Sequence, residues 1–216
     1  MNDFEINPSG TNEKDDLDVV TLENDPEFTF EQYVQRLELS QDDLKKKILD
    51  VGSAESYFAK YLNENNISKD VFGVDLWNRF IYKKMSVQGR GEDLPFKKES
   101  FELVIALCSV PLMYWWKNKN ADNVDMKKKI KNNLSEMIRV TKAGGEIKFG
   151  PIPLEGRTDK VQYFSDVFRE ILNEVKEENL NLEVNFFGEE EEKDNPYYKI
   201  TTMISIKKPQ HQPHLG

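Results

Sequence analysis

Short β-rich runs alternate with amphipathic segments through the middle of this chain, and this alternation restricts the fold more than any other feature. Five runs have strand character: KKILDV, DVFGVDLW, MSVQG, FELVIALCSV and GEIKFGPI. Strands that alternate with helices form a parallel sheet that is covered on both faces. A further helix is predicted at about residues 159–178, followed by two strands, LNLEVNFF and YYKITTMISIKK. Since a charged turn joins these last strands, we expect them to be antiparallel.

The two ends of the chain differ from its middle. Residues 1–26 are acidic and polar, and they carry too few large apolar side chains to offset the entropy lost on ordering. We predict a disordered arm there and a disordered tail over residues 209–216, whose two histidines we interpret as solvated rather than metal-binding. A length of 216 residues then suits a single domain, residues 27–208. Its first element is predicted to be a helix on which Phe30, Val34 and Leu37 share one face.

The charge and apolar content limit the partners and the compartment. A net charge of −9 argues against charge-driven binding to nucleic acid, so no DNA partner is expected, although a local basic patch stays open. The sequence has no apolar stretch of about 18 residues and no secretory leader at its start, so we expect no membrane partner and a cytoplasmic location. Its one cysteine, Cys108, lies in an apolar run and is predicted to be a buried hydrophobe.

The turn after the first strand has the character of a ligand-binding loop. Gly52 permits a backbone turn that a side chain would block, which lets the following amides approach a polar ligand near a helix N-terminus. Asp75 lies 23 positions after Gly52. This spacing is close to the roughly 20 residues at which an acid meets a ribose in related folds. Its carboxylate would accept hydrogen bonds from both ribose hydroxyls.

Four segments of the chain, in order, resemble motifs of the class I S-adenosylmethionine-dependent methyltransferases, in particular the type 11 group. They are LDVGSAES, GVDLW, GRGEDLPFKKESFELVIA and EMIRVTKAGGEIKF, and the resemblance extends over about residues 46–208. It implies an α/β fold with a Rossmann-like, doubly wound sheet of seven strands. The sheet would be mostly parallel, with a C-terminal antiparallel hairpin and the strand order 3-2-1-4-5-7-6. It also implies S-adenosylmethionine as the cofactor.

The resemblance also implies which residues hold that cofactor. Asp75 would bind the ribose, the backbone around Gly91 and Glu92 would face the adenine, and the strand end near Leu107 would close the methionine side. The complete implied set is Asp50, Gly52, Ser53, Ala54, Asp75, Leu76, Gly91, Glu92, Asp93 and Leu107.

The chain departs from the family pattern at three positions. Ala54 and Ser56 stand where the family has its second and third glycines, and Arg90 stands where many members carry an acid. Alanine costs on the order of 1 kcal/mol or more where φ must be positive. We expect Ser56 to fall at the start of a helix, in ordinary helical geometry that needs no glycine. We therefore predict that the loop still binds the cofactor.

Substrate and catalytic residues are less constrained by the sequence. The aromatic residues Tyr114, Trp115 and Trp116 follow the fourth strand and are predicted to form a wall for a substrate or for the methylsulfonium, with a hydrophobic lid as the alternative. Arg157 is predicted to bind an anionic acceptor, with an ordinary surface loop as the alternative. No general base is singled out, and Glu55, Tyr114 and Glu136 are candidates only because they are polar.

The predicted function is methyl transfer to a small-molecule acceptor, with S-adenosylmethionine as methyl donor. One alternative is a protein or RNA acceptor, which a basic surface around Lys117, Lys119 and Lys127 to Lys129 would favour. Another is a non-catalytic binding or scaffold protein whose loop has lost its cofactor. Nicotinamide-dependent redox chemistry is disfavoured because no second nucleotide-binding half follows the loop.

Overall fold

A single seven-stranded sheet organises the protein, and the computed structural model describes residues 25–77, 83–109, 123–179 and 181–210 of it. In chain order the strands are β1 (Ile48–Val51), β2 (Val71–Asp75), β3 (Ser86–Gln88), β4 (Phe101–Leu107), β5 (Thr141–Gly156), β6 (Glu183–Glu191) and β7 (Tyr198–Lys207). Their order in the sheet is β3-β2-β1-β4-β5-β7-β6. Strands β1 to β5 pair in parallel, whereas β7 is antiparallel to β5 and β6. The predicted fold class and strand order are confirmed.

Four α-helices accompany the strands in the described part of the chain: α1 (Pro26–Arg36), α2 (Tyr57–Glu64), α3 (Asn123–Val140) and α4 (Asp159–Glu178). Two short 3-10 turns, Asp43–Lys45 and Lys83–Met85, complete the connections that the structure describes. Capping side chains define where two helices begin, since Asp25 accepts from the Glu27 amide before α1 and Thr158 accepts from the Val161 amide before α4. None of these helices is long and apolar enough to cross a membrane.

The four helices lie in pairs on the two faces of the sheet. Along β4, Val104 and Ala106 belong to the core shared with α3 and α4, whereas Leu103 and Ile105 belong to the core shared with α1 and α2. Successive side chains of a strand point to opposite faces, so the two helix pairs lie on opposite sides of the sheet. The carboxyl ends of the parallel strands form an edge between these two layers.

A buried ion pair fastens the segment after α1 to the sheet. The Lys148 ammonium in β5 lies 3.2 Å from the Asp43 carboxylate and donates to the Glu38 carbonyl at 3.1 Å. Lys46 donates to the other Asp43 oxygen at 2.6 Å. Burial by itself raises the pKa of Asp43, but the hydrogen bonds from Lys46 and from the Ser40 amide, with the Lys148 charge, outweigh it and hold that pKa below its ordinary value. Residues 38–46 are thereby joined to the middle of the sheet.

Candidate functional site

The loop after β1 adopts a left-handed backbone conformation at every second residue. Gly52 has φ +79°, Ala54 +46° and Ser56 +64°. The amides of Gly52 and Ser53 both bond the Val74 carbonyl, at 2.8 and 3.2 Å, which holds the loop against the end of β2. The expectation of ordinary helical geometry at Ser56 is wrong, because this residue is left-handed and only the next one begins α2. The loop therefore has the conformation of a glycine-rich turn with a single glycine.

A glycine is required at position 52 because Ser109 lies close to its backbone as well as because its φ is positive. A methyl group added at Gly52 would lie 2.3 Å from the Cβ of Ser109, which follows β4. Ser109 is itself held, because its hydroxyl donates to the Val51 carbonyl at 2.7 Å. The end of β4 thus packs directly on the backbone of the loop, and no side chain fits between them.

Asp75 occupies the carboxyl end of β2 and contacts the loop. Its Oδ2 accepts from the Ala54 amide at 3.0 Å and its Oδ1 accepts from the Trp77 amide at 2.8 Å. The residue is half-buried, and Leu76 beside it is half-buried too. An ionised carboxylate has about four acceptor positions, so each Asp75 oxygen retains capacity for a further donor. Two adjacent acceptor oxygens suit the two hydroxyls of a ribose.

A tight turn over residues 90–93 lies beside Asp75. The Asp93 amide donates to the Arg90 carbonyl at 3.2 Å, with Gly91 and Glu92 half-buried at the tip of the turn. The Gly89 amide donates to the Asp75 carbonyl at 2.9 Å, which joins this turn to the end of β2. The residues that the resemblance assigned to ribose and adenine are thereby brought together.

Glu136 and Arg139 of α3 hold the segment that follows this turn. The Glu136 carboxylate accepts from the Leu94 amide at 2.8 Å and from the Arg139 guanidinium at 2.6 and 2.7 Å. Arg139 in turn donates to the Leu94 and Phe96 carbonyls. These bonds lower the pKa of Glu136, chiefly through Arg139. Glu136 therefore has a structural role that the sequence did not indicate, and its carboxylate is engaged by three donors.

A buried carboxyl group lies under the loop, at Asp50 in β1. It is 1% exposed, and the Tyr33 hydroxyl of α1 is 3.2 and 3.1 Å from its two oxygens. The Tyr33 ring stacks on Phe58 of α2 with ring centroids 4.5 Å apart. Burial raises the pKa of Asp50 to about 8; the hydrogen bond from Tyr33 opposes this rise and the charge of Asp75 adds to it.

Tyr33 is a site residue that the sequence analysis missed. The predicted apolar face of the first helix named Phe30, Val34 and Leu37, yet Tyr33 is among the most buried residues of α1, at 3% exposure. The signal was present, because Tyr33 lies four positions before Leu37 and so on the same side of the helix. Its partner Asp50 was identified only through the resemblance.

Replacing Asp50 with asparagine is expected to flatten the pH dependence of stability. The folded-state pKa of Asp50, about 8, is above that of an unfolded aspartate, so from about pH 4 to pH 8 the folded protein keeps a proton that the unfolded chain has lost. Within this window the contribution of Asp50 to the unfolding free energy falls as pH rises, by about 1.4 kcal/mol per pH unit. Urea unfolding across the window measures the slope.

Asp50→Asn should lose this part of the slope while its amide oxygen still accepts from Tyr33. The matched control is Asp70→Asn, the same substitution at an exposed aspartate just before β2. An Asp50→Asn protein with the same slope as the wild type would contradict a raised pKa at this position.

The end of β4 differs from the sequence-based expectation. The strand stops at Leu107, whose side chain is buried, and Cys108 follows with φ +53°. Cys108 is exposed, so the prediction of a buried hydrophobe is wrong. The physical reason is that the chain turns left-handed one residue past the strand, where the Cys108 amide bonds the Gly150 carbonyl at 2.7 Å, so Cys108 leaves the alternation of β4 and its thiol meets Arg36.

The predicted substrate residues divide into two groups. Tyr114 and Trp115 lie outside the described residues. Arg157 directs its guanidinium to backbone carbonyls of the β6–β7 hairpin, at 3.0 Å to Tyr198 and 2.9 Å to Glu192. These bonds stabilise the hairpin, and the substrate role of Arg157 stays a prediction.

The site as a whole fits an adenosine-containing cofactor. The edge formed by the carboxyl ends of β1, β2 and β4 brings together a left-handed loop, a half-buried carboxylate with spare acceptor capacity and the turn over residues 90–93. Parallel α/β sheets bind their ligands at this edge. Gly52, Ala54 and Asp75 would hold the ribose side, and Gly91 to Asp93 would border the base.

Residues 49–149 match the family model described as a methyltransferase domain. This region includes β1, β2, β4 and all the proposed cofactor residues. No curated protein sequence matches the chain significantly.

Solved structures share the fold at low sequence identity. An S-adenosylmethionine-dependent methyltransferase from Methanosarcina mazei has a TM-score of 0.54 at 12% identity, with 80% of this chain and 95% of that chain covered. The YcgJ protein of Bacillus subtilis has a TM-score of 0.51 at 11% identity, over 86% and 98% of the two chains. A putative methyltransferase from Bacillus halodurans has a TM-score of 0.50 at 16% identity, over 84% and 99%. These likenesses concern the fold.

Proposed function

We propose that this chain is a class I S-adenosylmethionine-dependent methyltransferase that transfers a methyl group to a small-molecule acceptor. The match of residues 49–149 to a methyltransferase domain and the order of strands in the sheet support this proposal. The cofactor of the family supplies an electrophilic methyl group on a sulfonium, so the protein need only bind both reactants and align them for in-line displacement. Such chemistry requires no nucleophilic side chain.

One observation carries the proposal: the loop keeps its left-handed residues although two of its three glycines are replaced. Ala54 and Ser56 have φ of +46° and +64°, and the Ala54 amide still meets the Asp75 carboxylate at 3.0 Å. A non-catalytic relative that had lost its cofactor would be free to relax this strained backbone, which costs on the order of 1 kcal/mol at each non-glycine residue. Retention of the strain supports a loop that still binds.

The lysines of α3 that form described ion pairs favour a small acceptor over RNA, whereas Lys117 and Lys119 of the predicted basic surface lie outside the described residues. Lys127 pairs with Glu170 and Glu174 of α4 at 2.7 and 2.9 Å, and Lys131 pairs with Glu174 and Glu178 at 2.9 and 2.7 Å. Lys129 pairs with Asp125 at 2.6 Å. Lysines that are already neutralised have less charge to offer phosphates, on which RNA affinity depends.

The structure reduces the number of candidates for a general base. Three donors engage Glu136, so it is poorly placed to accept a proton from a substrate. Glu55 is half-buried in the loop and Tyr114 follows β4 in sequence. These two remain the candidates for a general base, if the acceptor requires one.

Titration calorimetry tests the cofactor part of the proposal. S-adenosylmethionine and S-adenosylhomocysteine should each bind one site with a dissociation constant in the micromolar range, about −8 kcal/mol, whereas NAD should not bind. Ligand at about a hundred times its dissociation constant should also raise the unfolding free energy by about 2.7 kcal/mol. Release of S-adenosylhomocysteine, measured against panels of small molecules, peptides and RNA, then identifies the acceptor class.

Two outcomes would contradict the proposal. No heat and no thermal stabilisation with millimolar S-adenosylmethionine would favour the non-catalytic scaffold. Binding with turnover on RNA or protein alone would retain the cofactor but overturn the small-molecule acceptor.

A further inference from the structure

We propose that a cluster of three serine hydroxyls, two of them buried, replaces a missing glycine of the cofactor loop by holding the loop in its left-handed conformation. The serine cluster consists of Ser53, Ser56 and Ser86. This inference rests on the proposed function, because the ligand for which the loop is held is the cofactor.

Ser56 is the residue whose backbone conformation has to be stabilised. Its backbone, with φ 64° and ψ 36°, lies in the left-handed region, which glycine enters freely and other residues avoid. Asparagine and aspartate tolerate this region better than serine does. Ser56 stands where the resemblance places the third glycine of the turn, so the conformation is retained without the residue that favours it. Other contacts must therefore stabilise it.

Hydrogen bonds between side chains provide that stabilisation. The Ser86 hydroxyl of β3 donates to the Ser56 hydroxyl at 2.9 Å, and the Ser53 and Ser56 hydroxyls are 3.1 Å apart. Ser56 is fully buried and Ser53 is 6% exposed. Because a buried hydroxyl that loses its partner is costly, the cluster opposes any backbone rotation that would turn the Ser56 side chain away.

Gly73 of β2 makes room for the serine cluster. A methyl group added at Gly73 would lie 2.5 Å from the Ser53 hydroxyl and 2.6 Å from the Ser56 hydroxyl. The strand thus lacks a side chain at the point where the hydroxyls meet. Loop, β2 and β3 are all adapted to the same three hydroxyls, which argues against a chance contact.

The serine cluster is connected to the cofactor residues through the backbone. The Ser56 amide donates to the Ser53 carbonyl at 2.7 Å, which closes a turn that contains Ala54 and Glu55. The Ala54 amide then reaches the Asp75 carboxylate at 3.0 Å. A change of φ at Ser56 would displace this amide and with it the loop edge that faces the ribose. Ser56 is accordingly a positioning residue.

Two substitutions at one position test the inference. Ser56→Ala and Ser56→Gly both remove the hydroxyl. The left-handed backbone is energetically unfavourable for alanine but not for glycine. We expect Ser56→Ala to weaken S-adenosylhomocysteine binding about tenfold or more, and Ser56→Gly to bind within about threefold of the wild type. Calorimetry on the folded proteins measures both constants.

The matched control is Ser165→Ala. Ser165 is a buried serine of α4 whose hydroxyl donates to the Val161 carbonyl at 3.0 Å, outside the loop and its neighbours. Its substitution should lower the thermal midpoint without changing the dissociation constant. If Ser56 contributed only to stability, its substitution would likewise lower the thermal midpoint and leave the dissociation constant unchanged. A difference in affinity between Ser56→Ala and Ser56→Gly therefore separates a positioning role from a purely stabilising one.

The inference is overturned if Ser56→Ala binds as tightly as the wild type, or if alanine and glycine weaken binding equally. If the wild type does not bind S-adenosylhomocysteine, the proposed function is contradicted instead. In that case amide hydrogen exchange of residues 52–56 without ligand still decides whether the cluster holds the loop. Faster exchange in Ser56→Ala than in Ser56→Gly would uphold it, and equal exchange would overturn it.

Discussion

Asp75→Ala is expected to weaken S-adenosylmethionine binding at least about a hundredfold. The carboxylate provides two acceptor oxygens on the edge of the sheet where the loop and the turn over residues 90–93 meet. Charge-assisted hydrogen bonds to two hydroxyls contribute about 1.5–3 kcal/mol each, so the loss of one to two such bonds corresponds to about 3 kcal/mol. Titration calorimetry and the thermal shift with ligand both report this loss.

Two variants control this result. Asp75→Asn keeps the shape of the side chain and one acceptor oxygen, and it should bind with intermediate affinity, about tenfold weaker than the wild type. Asp70→Ala removes an exposed carboxylate at the opposite end of the same strand and should bind normally. Wild-type affinity in Asp75→Ala would show that the acid does not bind the ribose, whereas equal losses in Asp75→Ala and Asp70→Ala would indicate a general charge effect.

Gly52→Ala should have the largest effect on stability, about 2–5 kcal/mol. A left-handed φ of +79° costs an alanine about 1–2 kcal/mol. The added methyl group would also lie 2.3 Å from Ser109 Cβ and 2.6 Å from its hydroxyl oxygen, and overpacking adds about 1–3 kcal/mol. Ser109 has little freedom to retreat while it is bonded to the Val51 carbonyl. Denaturant unfolding with and without cofactor measures the loss.

Two comparisons separate the contributions to this loss. Gly188→Ala introduces alanine at φ +57°, where the nearest atom is Met203 Cγ at an ordinary 3.5 Å, so this variant should show the backbone cost alone, about 1 kcal/mol. The double variant Gly52→Ala/Ser109→Gly removes the overlap and should recover part of the loss. A Gly52→Ala protein no less stable than Gly188→Ala would contradict the close approach of β4.

The parallel pairing of the strands was predictable from local patterns, whereas their order in the sheet was implied only by the resemblance. Alternating β-rich and amphipathic runs favour parallel strands joined by helical crossovers. The antiparallel hairpin at the end follows from two adjacent strand runs with a short charged turn. Each strand or helix run is short, and hydrophobic periodicity is informative over a run of this length.

The geometry of the site was less predictable because it depends on side chains far apart in sequence. Ser56 meets Ser86 thirty positions later, Tyr33 meets Asp50 seventeen positions later, and Asp43 meets Lys148 across 105 positions. Periodicity identifies the face of a helix or strand but not the partner that a polar side chain finds there. The left-handed backbone of Ser56 was missed for this reason, since its stabilising hydroxyls belong to other elements.

The ion pair between Asp43 and Lys148 extends the folding unit beyond the amino-terminal end of residues 49–149, which match the family model. Lys148 lies within the matched residues 49–149, whereas Asp43 and Tyr33 precede them. A polypeptide that began at residue 47 would keep the Lys148 ammonium in the interior with no carboxylate beside it, and loss of one partner of a buried pair costs about 3–5 kcal/mol. It would also uncover the ring of Phe58 on which Tyr33 stacks. We therefore expect the amino-terminal limit of autonomous folding to depend on a lysine more than a hundred residues downstream.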